Sequence, residues 1–256
     1  EQQKHLNLWW QGTLVLCLFL AINILLYLLD PRLLGDEALW IKPIKFEISV
    51  MIHFVTLSVL ASLLSPAKRY GRACKGMTYA VVAAGLFEVM YIVLQATRGR
   101  ESHYNKSTPI EGIMYGFMGL GALILVLGSF YLGYLLYREC QKERSSPLLL
   151  SAALGLTIGS VLTLVIASYL SSQATGYAVD ADAAEVMRLP VFSWYLNGED
   201  IRIPHFFATH MMQLFPLYGL WLSRRAVPIA DARVRLYWSA SIYSLLVILL
   251  FVIALL

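Results

Sequence analysis

The sequence predicts an all-α polytopic integral membrane protein with seven transmembrane helices, and three observations carry that expectation. Hydrophobic residues fill 59% of the 256 positions and charged residues only 14%, with a mean hydropathy of +0.66. A soluble domain is usually about 45–50% apolar and about 25% charged. Seven apolar runs of spanning length follow one another along the chain, a helix needing about 20 mostly apolar residues to cross the hydrocarbon core. Lys and Arg gather in alternate loops, the bias that marks the cytoplasmic side. The composition also excludes a disordered chain and a nucleic-acid binder, since 20 Lys+Arg against 16 Asp+Glu leave a net charge of only +4. Cys17, Cys74 and Cys140 are too few for a disulfide framework and lack metal-ligand spacing.

Taken in order, the runs cover 8–29, 46–64, 77–95, 113–137, 148–170, 205–222 and 236–256. The first is too long for a cleaved signal and no small-residue cleavage site follows Leu29, so it is expected to remain as a span. The fourth and fifth carry small residues that let helices approach closely: Gly112, Gly116 and Gly119 in one, Ser151, Gly155, Gly159 and Thr163 in the other. The segment 171–204, with Asp180, Asp182, Glu185, Pro190 and Asn197-Gly198, reads as an acidic, turn-rich cap. The seventh run has no lysine, which removes the attachment point of a retinal Schiff base. The whole chain, 1–256, is expected to form a single seven-helix membrane domain.

Charge orients it. Loop 65–76 holds Lys68, Arg69, Arg72 and Lys75; loop 223–235 holds Arg224, Arg225, Arg233 and Arg235; and Arg138, Lys142 and Arg144 follow Tyr137. With Lys4 these make 12 of the 20 basic residues, against four acids, Glu1, Glu139, Glu143 and Asp231. The opposite side collects eight basic residues and 11 acids, leaving Glu88 alone within the hydrocarbon. The N-terminus is therefore expected in the cytoplasm and the C-terminus outside.

Ionisable groups within spans are costly and mark function by default. On span two, Lys42, Lys45, Ser49, His53 and Thr56 fall within an arc of about 80°. On span three, Glu88, Tyr91, Gln95 and Arg98 do the same; on span six, Arg202, His205, Thr209, His210 and Gln213 occupy about 140°. At about 1.5 Å per helical residue, His53 and His210 lie roughly 12 Å below the outer anchors Lys45 and Arg202, and Glu88 roughly 15 Å below Arg98. A pocket that opens outward follows, basic at its mouth and His/Glu at its floor.

Three strings sharpen this: Lys42-Pro43-Ile44-Lys45-Phe46, Arg98-Gly99-Arg100-Glu101-Ser102-His103-Tyr104-Asn105, and His205-Phe206-Phe207-Ala208-Thr209-His210-Met211-Met212-Gln213. Together they resemble a group of uncharacterised bacterial multi-span membrane proteins with K-P-x-K-F, R-G-x-x-S-H-[FY]-N and H-F-x-x-x-H-x-x-Q. The resemblance runs across most of the chain; the expected location is the bacterial inner membrane, with the pocket facing the extracytoplasmic side. A weaker resemblance joins Ser49-x-x-x-His53, an acid on span three and a late two-histidine helix. It is to the seven-helix zinc hydrolases of the adiponectin-receptor and alkaline-ceramidase type. There the late helix carries His-x-x-x-His on span seven, whereas His205 and His210 are separated by four residues on span six.

Three functions fit. The first is a zinc-type metal-dependent membrane hydrolase acting on a lipidic or anionic substrate. His53, Glu88, His103, His205 and His210 are its candidate ligands, and Glu88 and Ser49 its candidate catalytic side chains. The second is a b-type haem protein with His53 and His210 as axial ligands. The third is a non-enzymatic binder, carrier or sensor of a small anionic or lipidic ligand. Lys42, Lys45, Gln95, Arg98, Asn105, Arg202 and Gln213 are the expected substrate-binding residues.

Overall fold

The computed structural model describes residues 4–141, 145–173, 188–189, 192–195 and 200–256. In chain order these form α1 (Lys4–Leu29), β1 (Leu33–Leu34), β2 (Glu37–Ala38), α2 (Ile41–Ala61), α3 (Pro66–Arg69), α4 (Arg72–Thr97), α5 (Pro109–Cys140), α6 (Pro147–Ser172), β3 (Arg188–Leu189), β4 (Trp194–Tyr195), α7 (Arg202–Arg224) and α8 (Ile229–Ile253). Six of the helices, α1, α2, α4, α5, α6 and α8, are long and apolar enough to cross a membrane. Leu18, Ile22, Leu25 and Leu28 on α1 and Ile242, Leu245 and Leu249 on α8 are all more than half exposed. Apolar surface of that extent belongs in hydrocarbon and not in water; the chain is an integral membrane protein.

The sixth expected span, 205–222, is a helix of different character. At 23 residues α7 has the length, but Arg202, His205, Thr209, His210 and Gln213 crowd its first half and lower its hydropathy. A second difference concerns where span two begins. Helix α2 starts at Ile41, because Pro43 is tolerated within a first helical turn. Lys42 and Lys45 therefore lie on the helix, and Glu47, counted above with the outer flank, is a fully buried residue inside it. Lys142, Arg144 and the cap residues Asp180, Asp182, Glu185, Pro190, Asn197 and Gly198 lie outside the described residues.

The chain divides into two compact units, Glu1–Gly128 and Ser129–Leu256, and α5 passes from one into the other. In the first unit α1 and α2 are joined by a β1–β2 hairpin whose two-residue turn places Gly35 at a φ of +61°, a conformation open to glycine. Phe54 of α2 fills the space where α1, α2 and α4 meet. Its ring lies against Gly12 of α1 and Gly85 of α4, and Trp9 packs edge-on at 5.7 Å. A Cβ at Gly85 would stand 2.7 Å from Phe54 Cζ, so only glycine permits this approach. Along α5 it is Gly121 and Gly128 that meet α4, against Glu88 and Val81. Gly112, Gly116 and Gly119, expected to form a seam, have nothing within 4 Å of a Cβ.

In the second unit the small-residue seam of α6 is used as expected. Gly155 lies against Phe215 and the Met211 carbonyl of α7, Gly159 against Met212 and the Ala208 carbonyl, and Ser151 against Gly219. Thr163 Oγ1 is 3.3 Å from Thr209 Oγ1. Helix α8 closes the other side through Val247 and Ala254, which pack with Ile166, Ile201 and Ala208, and the Tyr243 hydroxyl donates to the Phe207 carbonyl at 2.8 Å.

The contrast between the two sets of glycines is testable. Gly85→Val is expected to lower stability in detergent by about 1–3 kcal/mol through overpacking, with partial recovery when Phe54→Leu is added. Gly116→Ala, which meets nothing, is expected to leave the unfolding midpoint unchanged; equal losses at the two positions would contradict this packing.

Candidate functional site

The string that follows α4 is first of all a well-capped helix connection. Gly99, at a φ of +65°, ends the helix: its N–H reaches the Ala96 carbonyl (2.9 Å) and the Arg100 N–H reaches the Gln95 carbonyl (2.9 Å), the paired bonds of a Schellman cap. At the far end the Glu111 N–H donates to Thr108 Oγ1 (3.3 Å), capping the start of α5. The buried Glu111 carboxylate gathers the loop. Arg100 Nη1 donates to it at 2.8 Å, Arg98 Nη2 lies at 3.8 Å, and the Ser107 hydroxyl also donates to it. Gln95, fully buried, donates to Tyr91 Oη (2.9 Å) and accepts from Arg98 Nη1 (3.1 Å). Asn105 Nδ2 donates to the Glu101 carbonyl at 2.9 Å.

His103 sits inside this loop, between Phe46 at 5.3 Å and Tyr115 at 6.3 Å, with Nδ1 3.0 Å from Ser102 Oγ. Burial and the nearby Lys42 charge push its imidazole down from the ordinary 6.5 to about 3, which keeps it neutral.

Each cation expected at a substrate mouth has a carboxylate partner. Lys42 Nζ is 3.3 Å from Glu101 Oε2, Lys45 Nζ is 2.7 Å from Glu37 Oε1, and Arg98 shares Glu111 with Arg100. Arg202 is held by the buried Asp200 (Nε to Oδ1, 2.8 Å), by the Ser193 carbonyl (2.6 Å) and by the face of Tyr195 (5.7 Å). Arg32, absent from the candidate residues above, forms a further pair with Asp30 at 2.7 Å. That contact holds the Asp30 carboxyl well below its usual range and raises the guanidinium.

Within the spans, Glu88 is buried against Gly121 and its Oε1 has no hydrogen-bond partner. His53 is half-buried on α2, and Ser49 is exposed. On α7, the His205 Nδ1 and Gln213 Oε1 atoms are buried without a hydrogen bond, and the His210 ring lies 4.0 Å from that of Phe206. Among the described residues, no three His, Cys, Asp or Glu side chains come together as a metal site. Asn23 and Glu47, absent from the candidate residues above, are hydrogen-bonded to each other through their side chains between α1 and α2. Their signal was a polar residue inside a spanning run, the same criterion that selected Glu88.

An open groove of about 590 Å³ runs between α1, α4 and α5. Phe19, Leu86, Phe87, Met90, Leu94 and Met114 line it, and it ends at Thr97. Arg32 is not itself a lining residue, but its Nη1 donates to the carbonyl of the lining residue Thr97 at 3.3 Å, and its side chain is 53% exposed. Comparison of the chain with protein-family models, with curated proteins and with solved structures finds no match.

A pH dependence follows from His103. The folded imidazole refuses a proton that the unfolded chain accepts near 6.5, so stability is full above that value and falls as pH drops from about 6.5 toward 3. His103→Gln, which cannot titrate, is expected to flatten that part of a thermal-unfolding profile measured in detergent. An unchanged slope would remove His103 as its source.

Proposed function

We propose that this protein is a non-enzymatic, membrane-embedded binder of an anionic lipid. An acyl chain lies in the α1–α4–α5 groove and the headgroup rests on Arg32, Arg98 and Arg100. The observation that carries this reading is the apolar groove ending at Thr97, where Arg32 is bonded. Burial of a chain in the groove gains about 0.8 kcal/mol per methylene only where water is otherwise present, so inside a bilayer the headgroup contacts supply the selectivity. The arginines are about half exposed despite their ion pairs, and a phosphate can take up guanidinium donors that the carboxylates leave unused.

Counting α7 as a seventh crossing completes the topology. The loops with Lys68, Arg69, Arg72 and Lys75 and with Arg224, Arg225, Arg233 and Arg235 then face the cytoplasm. The headgroup end of the groove faces outward, at the extracytoplasmic side of an inner membrane. The metal-dependent hydrolase reading draws no support from the placement of His53, Glu88, His103, His205 and His210, since no three such side chains cluster among the described residues; the b-type haem reading, which needs only His53 and His210, is separated by its absorption spectrum.

The test is native mass spectrometry of the detergent-purified protein with phosphatidylglycerol, phosphatidylcholine or inorganic phosphate. Phosphatidylglycerol is expected to be retained in preference to the other two. Met90→Trp, which fills the groove, should weaken retention by about tenfold, or about 1.4 kcal/mol, and Arg32→Gln should erase the headgroup preference. Equal retention of phosphatidylcholine would overturn the reading, and stoichiometric zinc or a Soret band would replace it with an enzyme or haem protein.

A further inference from the structure

The contact between Asn23 and Glu47 has an unmet requirement. Both side chains are fully buried, at 1% and 0% exposure, on facing parts of α1 and α2. Asn23 Nδ2 donates to Glu47 Oε1. The two remaining oxygens, Asn23 Oδ1 and Glu47 Oε2, are buried and have no hydrogen-bond partner. Each is an acceptor when the carboxylate is ionised, so the pair cannot satisfy itself, and an unmet buried polar atom costs about 1–3 kcal/mol. Among the described residues no ion pair offsets the charge, and within a bilayer water does not reach such a group freely.

A single proton resolves all of this. A carboxylic acid and a carboxamide can share two antiparallel hydrogen bonds, N–H to one carboxyl oxygen and O–H to the amide oxygen. The structure already holds the first. The geometry points to Glu47 as a proton-binding site of the membrane interior, carrying its proton on Oε2 and donating it to Asn23 Oδ1. Exchange of the amide oxygen and nitrogen leaves the requirement unchanged, because either orientation needs one carboxyl proton. The site is separate from the proposed lipid groove, which neither residue lines, so the two stand or fall independently.

The surrounding titratable groups do not substitute for that proton. On the helices packed against Glu47 they are Cys17 and Tyr27 of α1 and Glu88 and Tyr91 of α4; Lys42, Lys45 and His53 share its own helix. Lys45, the nearest in sequence, is engaged by Glu37, and Lys42 by Glu101. Loss of the proton would leave a carboxylate oxygen and the amide oxygen both unpaired at this buried α1–α2 contact.

Infrared spectroscopy of the purified protein at neutral pH tests the proposal through the carbonyl stretch of protonated carboxyl groups. The wild type is expected to show such a band, Glu47→Gln to lose a component of it, and Glu88→Gln to keep that component. Glu47→Gln should fold with an unchanged unfolding midpoint, because an amide pair restores both bonds. Were that variant not to fold, Asn23→Leu provides a second reading: the Glu47 component should move to higher frequency as the acid loses its acceptor. A wild-type spectrum without the component, a component indifferent to both substitutions, or its disappearance on adding sodium, the mark of a metal-cation site, would each overturn the assignment.

Discussion

The seating of Phe54 against Gly12 and Gly85 is the contact on which the first unit depends. Inside a bilayer, helices gain nothing from leaving lipid for one another on hydrophobic grounds; they associate through close packing and a few polar bonds. Two glycines on different helices open a space that one aromatic ring fills, and dispersion over that ring is the gain. The polar contacts then follow from the packing. With Phe54 seated, the preceding turns of α2 run beside the last turns of α1, and Glu47 meets Asn23. On α4, the turn after Gly85 presents Glu88 to α5, where only a glycine at 121 leaves room for a carboxylate. Specific pairing of buried polar groups is thus a product of apolar geometry.

At the headgroup level the organising force is charge neutralisation. Asp30, Glu37, Glu101, Glu111 and Asp200 each hold a basic side chain within a hydrogen-bonded frame. Exposed pairs of this kind contribute little individually, but here several fix chain reversals. Asp30 binds Arg32 and the Trp40 indole on either side of the β1–β2 hairpin, and Glu111 binds both arginines that leave α4. The cations are thus largely neutralised, while the Arg32, Arg98 and Arg100 side chains remain about half exposed.

The spans were legible because length and apolarity are sums over many residues, insensitive to any one of them. Their ends were not. Lys42 and Lys45 look like a polar break but lie on a helix that starts at Ile41, so Glu47, at the edge of the apolar run, is well inside the helix. The α6 seam was legible since Ser151, Gly155, Gly159 and Thr163 recur every four residues along one face. The same kind of spacing at Gly112, Gly116 and Gly119 leads to an open face, because periodicity names a surface without naming what covers it. Among the candidate site residues, the basic ones could be found by type, whereas their acidic partners, up to 59 residues away in the case of Lys42 and Glu101, are set by tertiary structure alone. His205 and Gln213 stand out in the sequence as polar residues within a spanning run, but sequence offers no means of telling that His205 Nδ1 and Gln213 Oε1 are buried without a hydrogen bond.

Helix α5 carries one further implication. Between Glu111 and Arg138 it presents 26 uncharged residues, about 39 Å of continuous helix, against a hydrocarbon core of about 30 Å. The excess must be taken up by tilt or by local thickening of the lipid. The length of the lipid chains around it therefore sets how far this one helix leans to keep its uncharged stretch out of water.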